Sequence, residues 1–442
     1  MLNPRNGALK STESSNQRAF PPGNGGLVKE QYDKLSSDWP TADDVRRAAS
    51  VLEGVALKTP CLPSEALSRL AGADVVLKYE NTQHTGSFKM RGAHVKLSSL
   101  TRGERRNGIV TASAGNHAQG VAFSASQLGT SSTIVMPHGT PYCKIRSTEA
   151  YGGRVLLHGS TVSEATTKAV KIAESNGKSF ISPFDDPVIV AGAGTVGLEL
   201  LQAFPNLDVL LVQVGGGGLI SGVALIAKAL NPHIRVIGVQ TTLYPALHNA
   251  LNNLPSPVGG ATLAEGVAVA RVGDLNLSMA KALIDDVLLV DEDALEFAVH
   301  LLLEDEKTVT EGAGALGVAA LLQHRASFRS ARVGLILSGG NIDTGLLAYV
   351  ISRVRLRERR VVCLRAEVLD VPGGLAGVSE VVARNGANVL EVSHRRTFPN
   401  VLAKCMQLDL TVELRKPDDM YAIVRQLNDL GILATLPAVG SA

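Results

Sequence analysis

Lys89 is the residue of this sequence best placed to do covalent chemistry. It closes the run Gln83-His84-Thr85-Gly86-Ser87-Phe88-Lys89, in which a glycine lets backbone approach a ligand, a serine offers a hydroxyl and Phe88 offers an apolar wall. A lysine becomes nucleophilic only when its ammonium is partly desolvated, and Schiff-base chemistry with a carbonyl cofactor is the commonest use of that state. A second feature is the run of consecutive glycines Gly215, Gly216, Gly217 and Gly218, set between the apolar stretch Leu207–Val214 and the helical stretch Leu219–Leu230. A strand, a glycine run and a helix N-terminus form an anion cradle, because free N–H groups and the helix dipole both attract negative charge.

Other chemistries fit less well. The cradle lacks the lysine and hydroxyl of a nucleotide P-loop. The dinucleotide pattern GxGxxG occurs at Gly192–Gly197 and again at Gly312–Gly317, but no acid stands at the end of the following strand to hold a ribose, so a nicotinamide-dependent dehydrogenase is disfavoured. Cys61, Cys143, Cys363 and Cys405 are far apart, without metal-like spacing, and imply no metal site; they read as reduced thiols in a cytoplasmic protein. A formal charge of +2, with no basic stripe interleaved with aromatics, argues against a nucleic-acid partner. The apolar runs, such as Val209–Val212, fall short of the ~20 residues a membrane span needs.

Taken together, Thr85–Lys89, Ser113-Ala114-Gly115-Asn116-His117-Ala118-Gln119-Gly120, Gly215–Gly218 and Leu337-Ser338-Gly339-Gly340-Asn341 occur in the order found in the fold-type-II pyridoxal-phosphate enzymes. Over residues 40 to 350 the chain resembles the threonine dehydratases among them, and Thr310-Glu311-Gly312-Ala313-Gly314-Ala315 is similar to the same family. The resemblance implies pyridoxal 5′-phosphate as cofactor, joined to Lys89, with Phe88 beside it, Asn116 on the ring hydroxyl, Gly215 to Gly218 on the phosphate and Ser338 facing the ring nitrogen. Ser113, Ala114, Gly115, Asn116 and His117 would hold the substrate carboxylate through backbone and side-chain donors, with a hydrogen-bonded turn histidine as the equal alternative for His117. A neutral hydroxyl at the ring nitrogen makes the cofactor a weaker electron sink than an aspartate would, which favours prompt loss of a β leaving group. The implied reaction is dehydration and deamination of L-threonine, and more weakly L-serine, to a 2-oxo acid and ammonia. Serine racemases of this fold place a serine where this chain has Ala114 and a metal-binding glutamate where it has Gln240, so racemisation and a magnesium site are both disfavoured. The alternatives are a 3-hydroxyaspartate dehydratase and a non-catalytic amino-acid sensor on the same scaffold.

The elements that must position these residues are legible as alternating β-branched runs and amphipathic stretches between Val75 and Ile351, the pattern of a parallel α/β architecture with ligands at the carboxyl ends of its strands. The expected fold is α/β, tryptophan synthase β-like, with two parallel-sheet subdomains. Thr41 with Asp44 predicts a capped helix start. Residues 1–38, rich in Asn, Ser, Pro and Gly, read as a flexible arm, with an organelle transit peptide as the weaker reading. The catalytic domain is expected over 39–352 and a charged linker over 353–360. Residues 361–442 read as a βαββαβ unit, an α+β fold. This unit resembles an ACT domain, an amino-acid-sensing module, in Asp370-Val371-Pro372-Gly373-Gly374-Leu375 and Gly386-Ala387-Asn388. Asp370, Pro372, Gly373, Leu375 and Asn388 are the expected effector-binding residues, and a homo-oligomer, dimer or tetramer, is the expected state. A plain dimerisation domain without a ligand is the alternative.

Overall fold

A computed structural model describes residues 38–255, 259–396 and 402–436. The expected arm lies almost wholly outside the described residues. The chain divides into two compact units between Asn341 and Ile342.

The strands of the first unit are β1 (Cys61–Pro63), β2 (Asp74–Lys78), β3 (Ile109–Ala112), β4 (Ser132–Met136), β5 (Arg154–Leu157), β6 (Ser179–Phe180), β7 (Val209–Gln213), β8 (Arg235–Thr241), β9 (Asp286–Val290) and β10 (Arg332–Ile336). They form two sheets, as expected. One has the order β5-β4-β3-β6 and is parallel throughout; the other has the order β1-β2-β10-β7-β8-β9 and is parallel except for β1. The three-residue edge strand β1 pairs antiparallel with β2 and carries no alternation that would announce it. Burial explains the composition of the others: every residue of β3, β4 and β7 is buried, as β-branched runs covered by helices on both faces require.

The first described helix, Ala42–Leu52, starts at Thr41 with a reciprocal capping box to Asp44 and buries Val45, Ala48 and Leu52. Both dinucleotide-like glycine patterns prove to be helix-packing devices. Gly192 and Gly194 lie within the helix Pro187–Ala203, where a Cβ on Gly192 would come within 2.6 Å of Gly92 Cα. The second pattern opens the helix Gly312–Gln323 and packs against backbone in the same way, with Gly314 against Gly339 O.

The second unit holds β11 (Val361–Leu369), β12 (Asn388–Arg395), β13 (Cys405–Glu413) and β14 (Leu433–Thr435) in the antiparallel order β12-β13-β11-β14, with helices Gly374–Arg384 and Asp419–Asp429. Its core gathers Leu364, Ala366, Val378, Val382, Leu408, Leu410 and Leu427. The βαββαβ order is therefore present. The expected boundary at 352 and the linker over 353–360 are corrected: the helix Thr344–Arg357 runs through most of that stretch and buries Val350 and Val354. Arg353, Arg355 and Arg357 alternate along it and hide the buried positions from a reading based on charge.

Candidate active site

The ends of parallel strands bring the sequence motifs together. After β2 the chain passes through a turn at Glu80–Thr82 to Gly86, whose φ of +66° is the left-handed geometry that glycine adopts freely. It then enters the helix Lys89–Ser99. After β10 comes Ser338-Gly339-Gly340. These two loops clasp each other: Phe88 N donates to Ser338 O at 3.1 Å, Gly340 N donates to Gly86 O at 2.9 Å, and Ser87 bridges Gly339. The pyridine-facing serine and the lysine of the resemblance are thus fixed to one another through backbone.

Lys89 is partly buried, and its Nζ donates to Pro183 O at 2.9 Å, 5.3 Å from the centroid of the Phe88 ring. Burial of the amine pushes it from its ordinary 10.5 down to about 8, against the pull of the Glu311 carboxylate. A small void beside this amine is lined by Lys89, His117, Pro183, Gly218 and Leu219, which places the amine next to the start of the helix Gly218–Leu230.

Gly217 has φ +99° and caps the helix Gly218–Leu230. Side chains are barred around it: a Cβ on Gly216 would lie 2.2 Å from the Phe184 ring, and one on Gly217 would lie 2.6 Å from Asn276 Cβ. Asn276 Nδ2 donates to Gly216 O at 3.1 Å and to Phe184 O at 3.0 Å, which braces the loop from behind. The Oγ atoms of Ser87 and Ser221, the Oγ1 of Thr85 and Thr310, and the Oε1 of Gln213 are buried without a hydrogen-bond partner. Buried polar groups are normally satisfied, so the orphans in the Lys89 loop (Thr85, Ser87) and in the helix that the glycine run opens (Ser221) fit a polar ligand between them. Substitution of Gly216 by alanine is expected to cost about 1–3 kcal/mol through the Phe184 collision. Where that strain falls on the cofactor-bound state, it corresponds to roughly 5–150-fold weaker cofactor retention, read by equilibrium dialysis.

The turn Ser113–Gly115 follows β3 and is partly exposed, open to a ligand, and Gly115 N donates to Ser113 Oγ at 3.2 Å. Asn116 and His117 begin the helix Asn116–Gln127. Of the two readings of the His117 side chain, its contacts favour the hydrogen-bonded turn histidine. Its ring is buried, with Nε2 3.1 Å from Thr111 Oγ1 and 3.3 Å from Ile181 O. Burial, and then the Lys89 charge, press it from 6.5 to about 3, so it is a neutral brace and no cationic hold for a carboxylate. Backbone at Ser113–Asn116 is left for that task. Gln240, at the position of the family's metal-binding glutamate, has its amide committed: Oε1 accepts from Leu247 N and His248 N, and Nε2 donates to Val214 O.

Residues absent from the sequence reading complete the site. Glu311 accepts from Asn116 Nδ2 at 2.6 Å, and burial pushes its carboxyl up from 4.5 to about 7. Its motif had been noticed, yet a glutamate before a run of small residues carries no role on its face. Pro183, Phe184 and Asn276 enter from loops with no local signal at all.

The sequence profile of the pyridoxal-phosphate dependent enzymes matches residues 52–339. The chain belongs to that family. An L-threonine ammonia-lyase of Thermotoga maritima is 41% identical over 375 residues, which cover 84% of this chain and 93% of the relative. Among solved structures, the processed form of threonine deaminase isoform 2 from Solanum lycopersicum superposes with a TM-score of 0.67 at 34% identity, over 73% of this chain and 98% of that one. Maize serine racemase gives a TM-score of 0.67 at 32% identity, over 71% and 98%. Members of this family are pyridoxal-phosphate enzymes, and the cradle, the partly buried amine and the orphaned hydroxyls of this chain fit that cofactor.

In the second unit, Asp370, Pro372 and Gly373 form an exposed turn that leads into the helix Gly374–Arg384, whose second residue is the exposed Leu375; Asp370 pairs with Arg396 at 3.1 Å. Asn388 does not join them. It pairs with Glu413, which faces Val361, whereas Leu369 lies at the other end of β11. Eight residues of strand, roughly 26 Å, separate Asn388 from the turn. Within one chain the expected effector residues form no common site.

Proposed function

We propose that the protein is a threonine ammonia-lyase that converts L-threonine, and more weakly L-serine, to a 2-oxo acid and ammonia. The observation that carries this is the Lys89 amine, held beside the glycine cradle in a chain that is 41% identical to an L-threonine ammonia-lyase over most of its length.

When bound, pyridoxal 5′-phosphate withdraws electrons from the substrate Cα and so acidifies its hydrogen. Lys89 holds the cofactor and then serves as the base at Cα. With its pKa pressed to about 8, a useful fraction of the amine is neutral near working pH, which a general base requires. N–H groups of Gly215 to Gly218 and the N-terminus of the helix Gly218–Leu230 hold the phosphate. Asn116 would hydrogen-bond the ring hydroxyl, Ser338 would face the ring nitrogen, Phe88 would wall the site, and the Ser113–Asn116 turn would hold the substrate carboxylate. Ala114 has no acid–base group, so no partner donates a proton on the opposite face, which supports elimination over racemisation.

The second unit is proposed as an ACT-like regulatory module, with the Asp370–Leu375 turn as its ligand-binding edge and Asn388 contributed by a second copy in a homo-oligomer, since one chain cannot bring the two together. The reaction is tested by release of 2-oxo acid from L-threonine, L-serine and 3-hydroxyaspartate. Turnover is expected to be fastest on threonine. A preference for 3-hydroxyaspartate would reassign the enzyme, and cofactor binding without release from any of the three would make it a sensor. The second carboxylate of 3-hydroxyaspartate would need a basic partner, and Lys144, whose charge reaches Glu311, is already paired with Glu265.

A further inference from the structure

Glu311 occupies the N-cap of the helix Gly312–Gln323, a position where a carboxylate ordinarily accepts from the first turn of its own helix. It makes no such bond. The carboxyl turns away from the helix, and Oε1 accepts from Asn116 Nδ2 at 2.6 Å. Room for it comes from Gly339, where a Cβ would lie 2.5 Å from Glu311 Oε1 and 3.1 Å from Asn116 Nδ2.

The Asn116 amide is oriented from both sides. Asn341 Nδ2 donates to the carbonyl of Thr85 at 2.8 Å, and a carbonyl can only accept, so this contact fixes which end of Asn341 faces the site. The same Nδ2 donates to Asn116 Oδ1 at 2.7 Å. Asn116 Nδ2 is thereby left to donate, with one hydrogen on Glu311 and the second available to a ligand.

The charged groups around Glu311 come from three elements. Lys89 heads its helix, while Lys144, on the helix Tyr142–Ala150, pairs with Glu265 of the turn Glu265–Val267. Burial raises the carboxyl most; Asn116 and the two lysines draw it down, and Glu265 raises it. The Glu311 charge in turn acts on Lys89.

We propose that Glu311 is a positioning residue: by accepting from Asn116 Nδ2 it orients the donor that faces the cofactor ring. This rests on the cofactor site described above but not on the identity of the substrate.

The test uses cofactor capture and no substrate. Protein stripped of cofactor is mixed with pyridoxal 5′-phosphate across pH 6–10, and the rate of Lys89 labelling is followed by absorbance. Only a neutral amine attacks the aldehyde, so the rate in the wild type is expected to rise through about pH 8, the value to which Lys89 is pressed. E311Q, which keeps an oxygen for Asn116, is expected to retain cofactor close to wild type. E311A is expected to loosen the cofactor about tenfold, and because the effect passes through Asn116, the E311A/N116A double variant is expected to be no worse than N116A alone. A loss in E311Q as large as in E311A, or additive losses in the double variant, would overturn the proposal. Absence of 2-oxo acid release from the wild type would sink the proposed reaction and leave this inference standing.

Discussion

Lys89→Ala is expected to lower kcat on threonine by about 10⁴-fold, the upper end of what a positioned acid–base group contributes, while the protein stays folded. The two outcomes separate because the amine makes one hydrogen bond, to Pro183 O, and its helix is held by other residues, including the buried Met90, Arg91 and Ala93. Arginine at this position keeps a positive charge but is always protonated and cannot serve as base, so Lys89→Arg is expected to fail equally. A charge-only role for Lys89 would predict partial activity in the arginine variant. Turnover assays with circular dichroism as the control for folding distinguish the two.

The second large effect is on stability. Arg91, two residues beyond Lys89, is wholly buried between two glutamates: Nε and Nη2 donate to Glu80 at 2.7 and 2.8 Å, and Nη1 and Nη2 donate to Glu199 at 2.6 and 3.0 Å. Lys78 joins from β2, donating to Glu199 and to Thr59 O. Burial pushes Glu80 upward, but the guanidinium outweighs it and holds the carboxyl below its usual range. Removing one partner of such a group leaves a buried charge uncompensated, and Arg91→Ala is expected to destabilise the fold by about 3–5 kcal/mol. The measurement is the urea midpoint at unchanged slope. Replacing Glu80, Arg91 and Glu199 together with apolar residues of similar volume is expected to recover most of the loss, since buried ion pairs contribute little beyond what well-packed apolar groups provide. A loss below about 1 kcal/mol in the single variant, the range of an exposed pair, would show that the network does not hold the Lys89 helix.

The sequence made the scaffold legible where local signals agreed with tertiary structure. Most strands of the parallel sheets are largely buried on both faces, which is why they read as β-branched runs alternating with amphipathic stretches. Thr41 and Asp44 carry a helix start in two residues. The glycine run and the lysine stood out because their residue types are unusual for ordinary turns. What stayed hidden depends on long-range meeting. Asn116 and Glu311 are 195 residues apart, and Asn341 and Thr85 are 256 apart. No periodicity encodes such pairs. His117 stays open in the sequence because its type allows both a ligand and a buried brace, and only its contacts with Thr111 and Ile181 decide. Arg353–Arg360 looked like a linker because charge dominates its composition, although two valines spaced by one helical turn give it a buried side.

The account rests on Lys89 as the point where the cofactor is held, and the direct measurement is chemical. The purified protein is reduced with borohydride, digested, and the pyridoxyl-bearing peptide is sequenced by mass spectrometry. The label is expected on Lys89, within the peptide that contains Thr85-Gly86-Ser87-Phe88. Label on Lys144, Lys178 or any other lysine, or no label from a protein that had shown near-ultraviolet to violet absorbance, would contradict it.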